Sequence, residues 1–232
     1  MKLKMITIKK KTIMAILLTF IAIVIFCVAN FSSQTSVSPK FAQTIVIDAG
    51  HGGIDGGSVG KTTGVDENNL NLAYAKTLEG ILKKYNFGVV MTRTDLGGLY
   101  DITSPNKKKS DMKKRKEIIL KSKANLVISL HMNSFPRKSS RGAQVFYKKD
   151  DDASKALAQS VQDVFIEKLP KAKKTPSTGD YFILNCSNIP SVIVECGFLS
   201  NEDEEKLLIT EEYKNVVCDS IFMGILNFLA KN

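Results

Sequence analysis

The sequence predicts an α/β fold: a single domain built on a largely parallel sheet layered with helices. Short apolar runs alternate along the chain with longer amphipathic segments, which is the pattern of strands connected by helices. One run, NLVISLH, does not alternate apolar and polar residues, as expected of a strand buried on both faces. A chain of 232 residues is long enough to bury its own core as one domain.

Each predicted element has a local signature. The runs expected to form strands are TIVIDA, GVVMTRT, NLVISLH, GAQVFYK, YFIL and SVIVECG. The segments with helical periodicity are ENNLNLAYAKTLEGILKKY, DMKKRKEIILKSK, ASKALAQSVQDVFIEKL and EEYKNVVCDSIFMGILNFLA. The apolar stripe of the first helix contains Leu70, Tyr74, Leu78, Ile81, Leu82 and Tyr85. DLGGLYDITSPNKKKSD and PKAKKTPSTGD, rich in glycine, proline and lysine, are expected to be exposed loops.

The first forty residues differ from the rest of the chain. Five lysines and no acidic residue precede the 17-residue run IMAILLTFIAIVIFCVA, and no charged residue occurs between Thr12 and Pro39. This pattern indicates an export signal, and the run approaches the roughly 17–25 residues that span a bilayer. No clear cleavage site follows, which favours an uncleaved anchor or a slowly processed signal. We expect residues 1–31 to be a signal peptide or membrane anchor, 32–43 a polar tether, and 44–232 a catalytic domain outside the cytoplasm.

The charge balance is basic but not extreme. The formal net charge is +10, and five of the positive charges belong to lysines before residue 13. The remaining excess suits a domain that works beside an anionic surface such as a cell wall. The clusters NKKKSDMKKRK and KLPKAKK contain no aromatic residues, which argues against a nucleic-acid platform and favours solvated loops and helix faces.

The cysteines do not predict a disulfide framework. Cys27 lies in the apolar run, which leaves an odd number elsewhere: Cys186, Cys196 and Cys218. Their spacing does not fit a structural zinc site, which commonly uses close pairs. Buried free thiols are expected, although Cys186 and Cys196 could pair if their strands are neighbours.

The chain contains only two histidines, and both follow apolar runs. His51 stands just past the strand in IVIDAGHGG, and His131 ends the strand NLVISLH. Glu195 ends the strand SVIVE, and Asp66 and Glu67 open the helix after the first strand. Because the carboxyl ends of parallel strands meet at one edge of a sheet, we expect these side chains to converge. Two histidines and two carboxylates fit a catalytic zinc site with three ligands and a separate general base.

Each feature also has a simpler interpretation. A histidine at a strand end is commonly structural, and an acidic residue at a helix start stabilises the helix dipole. The glycines of GHGGIDGG could instead cradle a phosphate, but their spacing does not match G-x-x-x-x-G-K-[ST]. Glu195 is harder to explain as a structural residue. A carboxylate that ends an apolar strand should be partly buried, and burying a charged group is unfavourable unless it has a partner or a function. Taken together, the features favour the metal site.

Several blocks resemble one known family. The blocks IVIDAGHGGIDGGSVG, GVDENNLNLAYAKTLEGIL, VVMTRTD, SKANLVISLHMNS, RGAQVFY and PSVIVECGFLSNEDEEKLL resemble, in order and spacing, the zinc-dependent N-acetylmuramoyl-L-alanine amidases of bacterial cell walls. The resemblance covers roughly residues 44–229. Its DAGHGG, SLHMN and VECGFLSN blocks together are highly specific, and the family fold is a mixed sheet flanked by helices.

The resemblance implies a Zn²⁺ cofactor and a role for several residues. It implies that His51, Glu67 and His131 bind zinc and that Glu195 is the catalytic glutamate, whereas Asp66 does not align with the family's ligand. Arg115 matches an arginine of the family pattern and is either structural or a contact for a carboxylate of the stem peptide. Two further residues that flank ligands, Asp48 and Asn133, could orient them.

With one expected catalytic domain after the N-terminal segment and tether, the chain most resembles the sporulation amidase of endospore-formers. That resemblance implies peptidoglycan of the spore cortex as substrate, removal of peptides so that muramic-δ-lactam can form, and a location between the forespore membranes. Membrane attachment through the N-terminal segment and an activating protein partner are further expectations, because uncontrolled wall cleavage endangers a cell. The alternatives are a vegetative cell-separation or autolytic amidase, a zinc peptidase or deacetylase of the wall, and a wall-binding domain without activity.

Overall fold

The computed structural model describes residues 43–231 together with Met14, Thr19 and Phe20. The chain divides into two units, residues 1–40 and 41–232, and every element named below belongs to the second. Within the described residues, no helix combines the length and apolar character needed to cross a bilayer. The predicted export segment and tether lie outside the described residues, apart from the three just named and Gln43.

The elements alternate as the sequence predicts. The strands are β1 (Thr44–Ala49), β2 (Gly88–Met91), β3 (Leu126–Asn133), β4 (Gln144–Tyr147), β5 (Ser177–Thr178) and β6 (Ser191–Phe198). The helices are α1 (Glu67–Lys84), α2 (Lys107–Lys121), α3 (Asp152–Lys168), α4 (Phe182–Asn185), α5 (Glu202–Leu208) and α6 (Glu211–Lys231).

The strands form one sheet in the order β2-β1-β3-β6-β4-β5. All neighbours pair in parallel except β4 and β6, which are antiparallel. The fold class is therefore confirmed: an α/β domain with a mostly parallel, mixed sheet and helices on both faces. The buried strand NLVISLH becomes β3 at the centre of the sheet, with β1 on one side and β6 on the other.

The two faces of the sheet have different roles. One face packs the larger core against α1, α3 and α6. The other carries a smaller core, in which Val46, Val127 and Ile193 of the three central strands contact residues of α2 and α4. Because side chains of a strand alternate between faces, positions two and four residues further along these strands share this second face. Those positions are Asp48, Ser129, His131 and Glu195.

One predicted strand was wrong. YFIL was expected to be extended, but it contributes to the short helix α4, and the edge strand β5 lies earlier in the chain. The Tyr181 carbonyl accepts hydrogen bonds from the Leu184 and Asn185 backbone N–H groups, and the Asn185 side chain donates to the same carbonyl. A short apolar run fits either element, so these local hydrogen bonds decide the conformation.

Smaller differences concern exposure and one additional helix. Tyr85, predicted on the buried stripe of α1, is 54% exposed and packs its ring on Phe222, with 4.5 Å between the ring centroids. The acidic segment that forms α5 was not predicted to be a helix. The three described cysteines, Cys186, Cys196 and Cys218, are buried free thiols, as expected.

Candidate active site

His51, Glu67 and His131 converge beyond the carboxyl ends of β1 and β3. Their ligand atoms all lie within 4.8 Å of one another. Glu67 Oε1 is 3.2 Å from His51 Nε2 and 3.0 Å from His131 Nδ1. Two imidazole nitrogens and one carboxylate oxygen form a donor set that catalytic zinc sites use. The residues present therefore fit a metal ion.

Local backbone geometry brings these three side chains together. His51 has a φ of 60°, a left-handed conformation that turns the chain sharply after β1. A Cβ on Gly50 would lie 2.2 Å from Cε1 of His131, and one on Gly57 would lie 2.6 Å from Oε2 of Glu67. Gly50 and Gly57 thus permit this close approach, because any side chain at either position would displace a candidate ligand.

Glu67 is held as an ionised carboxylate. It is only 3% exposed, and its Oε2 accepts a hydrogen bond of 2.8 Å from the Ser58 backbone N–H. Its Oε1 accepts from the Asn71 side chain and from the Met132 backbone N–H, each at 3.2 Å. Burial alone would raise the pKa of Glu67, but hydrogen bonds and charge from the two histidines lower it well below its usual value.

His51 has a second partner that the sequence did not single out. Its Nδ1 lies 3.0 Å from Oδ1 of Asp55, four residues later in the glycine turn. With Nδ1 engaged there, Nε2 faces Glu67 and the centre of the cluster, as in a ligand oriented by a carboxylate. Burial lowers the pKa of His51, but Glu67 and Asp55 outweigh this and raise it. The signal that could have identified Asp55 is an acidic residue close behind the histidine in GHGGID.

Glu195 lies next to His131, with which it pairs in the register between β3 and β6. Burial raises the pKa of Glu195 to about 7, opposed by the neighbouring histidines and reinforced by Glu67. Its Oε2 is buried and has no hydrogen-bond partner among the described residues. A half-buried carboxylate with one buried, unpartnered oxygen and a pKa near neutrality is suited to accept and return a proton.

The cluster opens into a cleft with a volume of about 510 Å³. Its lining includes His51, His131 and Glu195, so the three groups face one shared space. Much of the rest is apolar or aromatic, contributed by Ile54, Tyr100, Met112, Tyr181, Phe182, Ile183 and Ile193. Such a cleft, apolar with a few convergent polar groups, is typical of a small-molecule or substrate site.

The comparisons with known proteins agree with this geometry. The family model described as N-acetylmuramoyl-L-alanine amidase matches residues 45–227. The chain belongs to this amidase family.

Individual relatives of the amidase extend over most of its length. The germination-specific N-acetylmuramoyl-L-alanine amidase of Bacillus subtilis (strain 168) is 32% identical, covering 96% of this chain and 97% of the relative. The CwlD amidase from Clostridioides difficile, solved in complex with the GerS lipoprotein, has a TM-score of 0.78 at 38% identity, covering 82% of this chain and all of that one. The catalytic domain of CwlV from Bacillus (Paenibacillus) polymyxa var. colistinus has a TM-score of 0.72 at 32% identity, covering 82% and 99% of the two chains.

Behind the candidate ligands, the amidase has a buried ion-pair network. Asp48 Oδ1 accepts hydrogen bonds from Arg115 Nη1 at 2.6 Å and from the Thr92 hydroxyl at 2.8 Å. Its Oδ2 accepts one from the Ser129 hydroxyl at 2.6 Å. Burial raises the pKa of Asp48, but the charge of Arg115 and these hydrogen bonds lower it to about 2. These hydrogen bonds of Asp48 go to Arg115, Thr92 and Ser129, so Asp48 supports the site through Arg115.

Two arginines fix the backbone turn that carries His51. Arg115 donates to the carbonyl oxygens of Ala49 and His51. Arg93, which the sequence did not suggest, donates to the carbonyls of Ala49 and Gly50, both at 2.9 Å, and also to that of Asn68. These carbonyls belong to the last residue of β1, to the turn that follows it, or to the start of α1. The two arginines thus hold the segments that present His51 and Glu67.

The remaining sequence candidates lie at the margin of the cluster. Asp66 occupies the position before α1 and makes no side-chain cap there, while its neighbour Glu67 enters the cluster. Asn133 ends β3, and its carbonyl accepts a 2.8 Å hydrogen bond from the Leu199 N–H where the register with β6 shifts. The contact seen for Asn133 is therefore with the loop after β6.

Proposed function

We propose that this amidase is zinc-dependent and cleaves the amide that joins the lactyl group of N-acetylmuramic acid to L-alanine in peptidoglycan. In this proposal His51, Glu67 and His131 are the zinc ligands, and Glu195 is the general base. The observation that carries the proposal is the unpartnered, buried Oε2 of Glu195 beside the His-Glu-His cluster, in the same cleft.

The donor set supports zinc, and the protein groups around it then have separate roles in the reaction. A bound zinc ion would polarise the lactyl carbonyl and make water nucleophilic near neutral pH. Glu195 accepts the proton of the attacking water on its carboxylate and returns it to the departing amine of L-alanine. Its pKa of about 7 matches both transfers, because neither protonation state is strongly favoured. Asp55 holds the imidazole of His51 in place through Nδ1, which leaves Nε2 for the metal.

We further propose that the substrate is spore-cortex peptidoglycan and that peptide removal prepares muramic acid for δ-lactam formation. The name of the B. subtilis relative, a germination-specific amidase aligned over nearly the whole of both chains, supports this placement. The proposed location is outside the cytoplasmic membrane, between the forespore membranes, with residues 1–31 as signal or anchor. The complex of the C. difficile relative with a lipoprotein supports a protein partner for this chain as well.

Digestion of purified peptidoglycan tests the proposed bond. Mass spectrometry should detect stem peptides that begin with a free L-alanine amine, and glycan strands with unsubstituted lactyl carboxyl groups. Removal of zinc with a chelator should stop their release, and added zinc should restore it. A zinc peptidase would instead leave the lactyl–alanine bond intact and cut within the peptide, a deacetylase would release acetate, and a wall-binding domain would release nothing.

A further inference from the structure

The charged groups that line the cleft are largely committed to one another. Arg115, 2% exposed, uses Nε for Asp111 and Nη1 for Asp48, each at 2.6 Å, and directs its remaining contacts to backbone carbonyls. Asp55 pairs with His51 at 3.0 Å. These bonds commit most of the Arg115 guanidinium to acidic side chains and backbone carbonyls, which favours the structural one of the two roles that the sequence left open.

Lys108 is the exception among the cations that line the cleft. It lies in the first turn of α2, and its side chain is 78% exposed. Its closest acidic partner is Oδ2 of Asp55, at 4.0 Å, a distance at the limit of an ion pair. An ammonium group carries three N–H donors on a flexible stem. Lys108 is therefore able to bring an available positive charge to the cleft that contains Glu195.

The rest of the cleft makes this charge important for an anionic ligand. Asp48, Asp55, Asp111 and Glu195 all line the same space, so away from the candidate metal site a substrate carboxylate meets mainly acidic groups and an arginine already paired with two of them. Opposite charges attract most where a cation is not already paired. A carboxylate at some distance from the reacting amide would thus be directed to Lys108.

The proposed substrate supplies such a carboxylate. The leaving group begins with L-alanine, and the second residue of a peptidoglycan stem, a glutamate joined through its side-chain carboxyl, keeps a free α-carboxylate. One residue spans at most about 3.6 Å, so this group stays close to the reacting amide. Resting on the proposed function, we propose that Lys108 is a specificity residue that binds the α-carboxylate of the second stem residue.

Two muramoyl tripeptides that differ only at that position test the proposal. In one substrate the second residue carries the free α-carboxylate, and in the other a carboxamide. The wild-type enzyme should prefer the carboxylate substrate in kcat/KM by about three- to fivefold, the range of a solvent-exposed ion pair, and the preference should shrink as salt rises. Lys108→Gln should equalise the two substrates, and Lys108→Arg should restore the preference.

Lys109→Gln is the matched control, because Lys109 belongs to the same turn of α2 and does not line the cleft. It should keep the wild-type ratio. If Lys108→Gln also keeps that ratio, or lowers kcat/KM equally for both substrates, the specificity role is wrong and Lys108 acts only on Asp55. If wild-type enzyme releases no L-alanyl peptide from either substrate or from peptidoglycan, the proposed function itself fails, and this inference with it.

Discussion

Asp48 and Arg115 form a buried ion pair across 67 positions of sequence, with 2.6 Å between Oδ1 and Nη1. The pair joins β1 to α2 on the face of the sheet that carries the candidate site. Because Arg115 also holds the carbonyl of His51, the pair connects the stability of the domain to the position of a candidate ligand.

Removing the arginine should destabilise the domain strongly. Arg115→Met leaves the Asp48 carboxylate buried without its charged partner, which costs about 3–5 kcal/mol of unfolding free energy. Urea unfolding followed by circular dichroism measures this loss. Lys113→Met, an exposed change on the same helix, should stay within about 0.5 kcal/mol of wild type. Equal effects of the two substitutions would contradict a structural role for Arg115.

The ion pair between Asp48 and Arg115 also predicts how the stability of the domain depends on pH. The pKa of Asp48 is about 2 in the folded protein, against an ordinary value of 3.8. A lowered folded pKa gives stability that is fully present above about pH 4 and is lost as pH falls towards 2, here about 2 kcal/mol. Urea unfolding between pH 5 and pH 2 should show this fall. Asp48→Asn should be less stable at neutral pH and lose less stability on acidification; parallel curves for the two proteins would refute the assignment.

Substitution of a candidate ligand should remove the metal. Glu67→Gln takes away the negative charge that lies between His51 and His131, so zinc retained after gel filtration should fall from about one ion per chain to a small fraction. Elemental analysis of the purified protein measures this. Asp66→Asn changes the neighbouring carboxylate, which lies outside the cluster, and should leave zinc content unchanged. Retention of zinc by Glu67→Gln would exclude Glu67 as a ligand.

Loss of the proposed general base should affect turnover and not metal binding. Glu195→Gln preserves the shape of the side chain but cannot accept a proton, so kcat should fall roughly 100- to 10,000-fold while zinc content stays at the wild-type level. Release of L-alanyl peptides and elemental analysis on the same preparation separate the two effects. Glu202→Gln, a substitution in the first turn of α5, is the control and should remain active. A fully active Glu195→Gln enzyme would contradict the mechanism.

Two glycine substitutions should have opposite effects. Gly50→Ala places a Cβ 2.2 Å from the His131 ring, which must move, so zinc content and activity should both decrease. Gly80, within α1, has open space around a Cβ, and Gly80→Ala should raise the unfolding free energy by roughly 0.5–1 kcal/mol. Thermal unfolding and elemental analysis measure the two outcomes. A Gly50→Ala protein with full zinc content would show that His131 does not need this close approach.

Hydrophobic patterning was sufficient to predict most of the elements, because the apolar residues of β1 and β3 form clear runs and those of the long helices recur at helical spacing. It could not predict that β4 would run antiparallel to β6, since a strand's own residues do not specify its neighbour. YFIL was too short for its period to distinguish a strand from a helix.

The candidate site was likewise predicted only in part from the sequence. His51, His131 and Glu195 could be placed at one edge because each ends or follows a strand of one parallel set. Asp55 and Arg93 were missed because their contacts are made with an imidazole ring and with backbone carbonyls whose positions depend on the folded turn. For Arg115 the sequence left two roles open, and its burial and its ion pairs with Asp48 and Asp111 favour the structural one.

The three candidate ligands come from positions 51, 67 and 131, and the last of them reaches the others only when β3 has paired with β1. No short segment of the chain contains the whole cluster, so an unfolded or partly synthesised chain has no assembled metal site. Metal loading would then coincide with the end of folding, and a newly made chain would be harmless to its own cell wall until that moment.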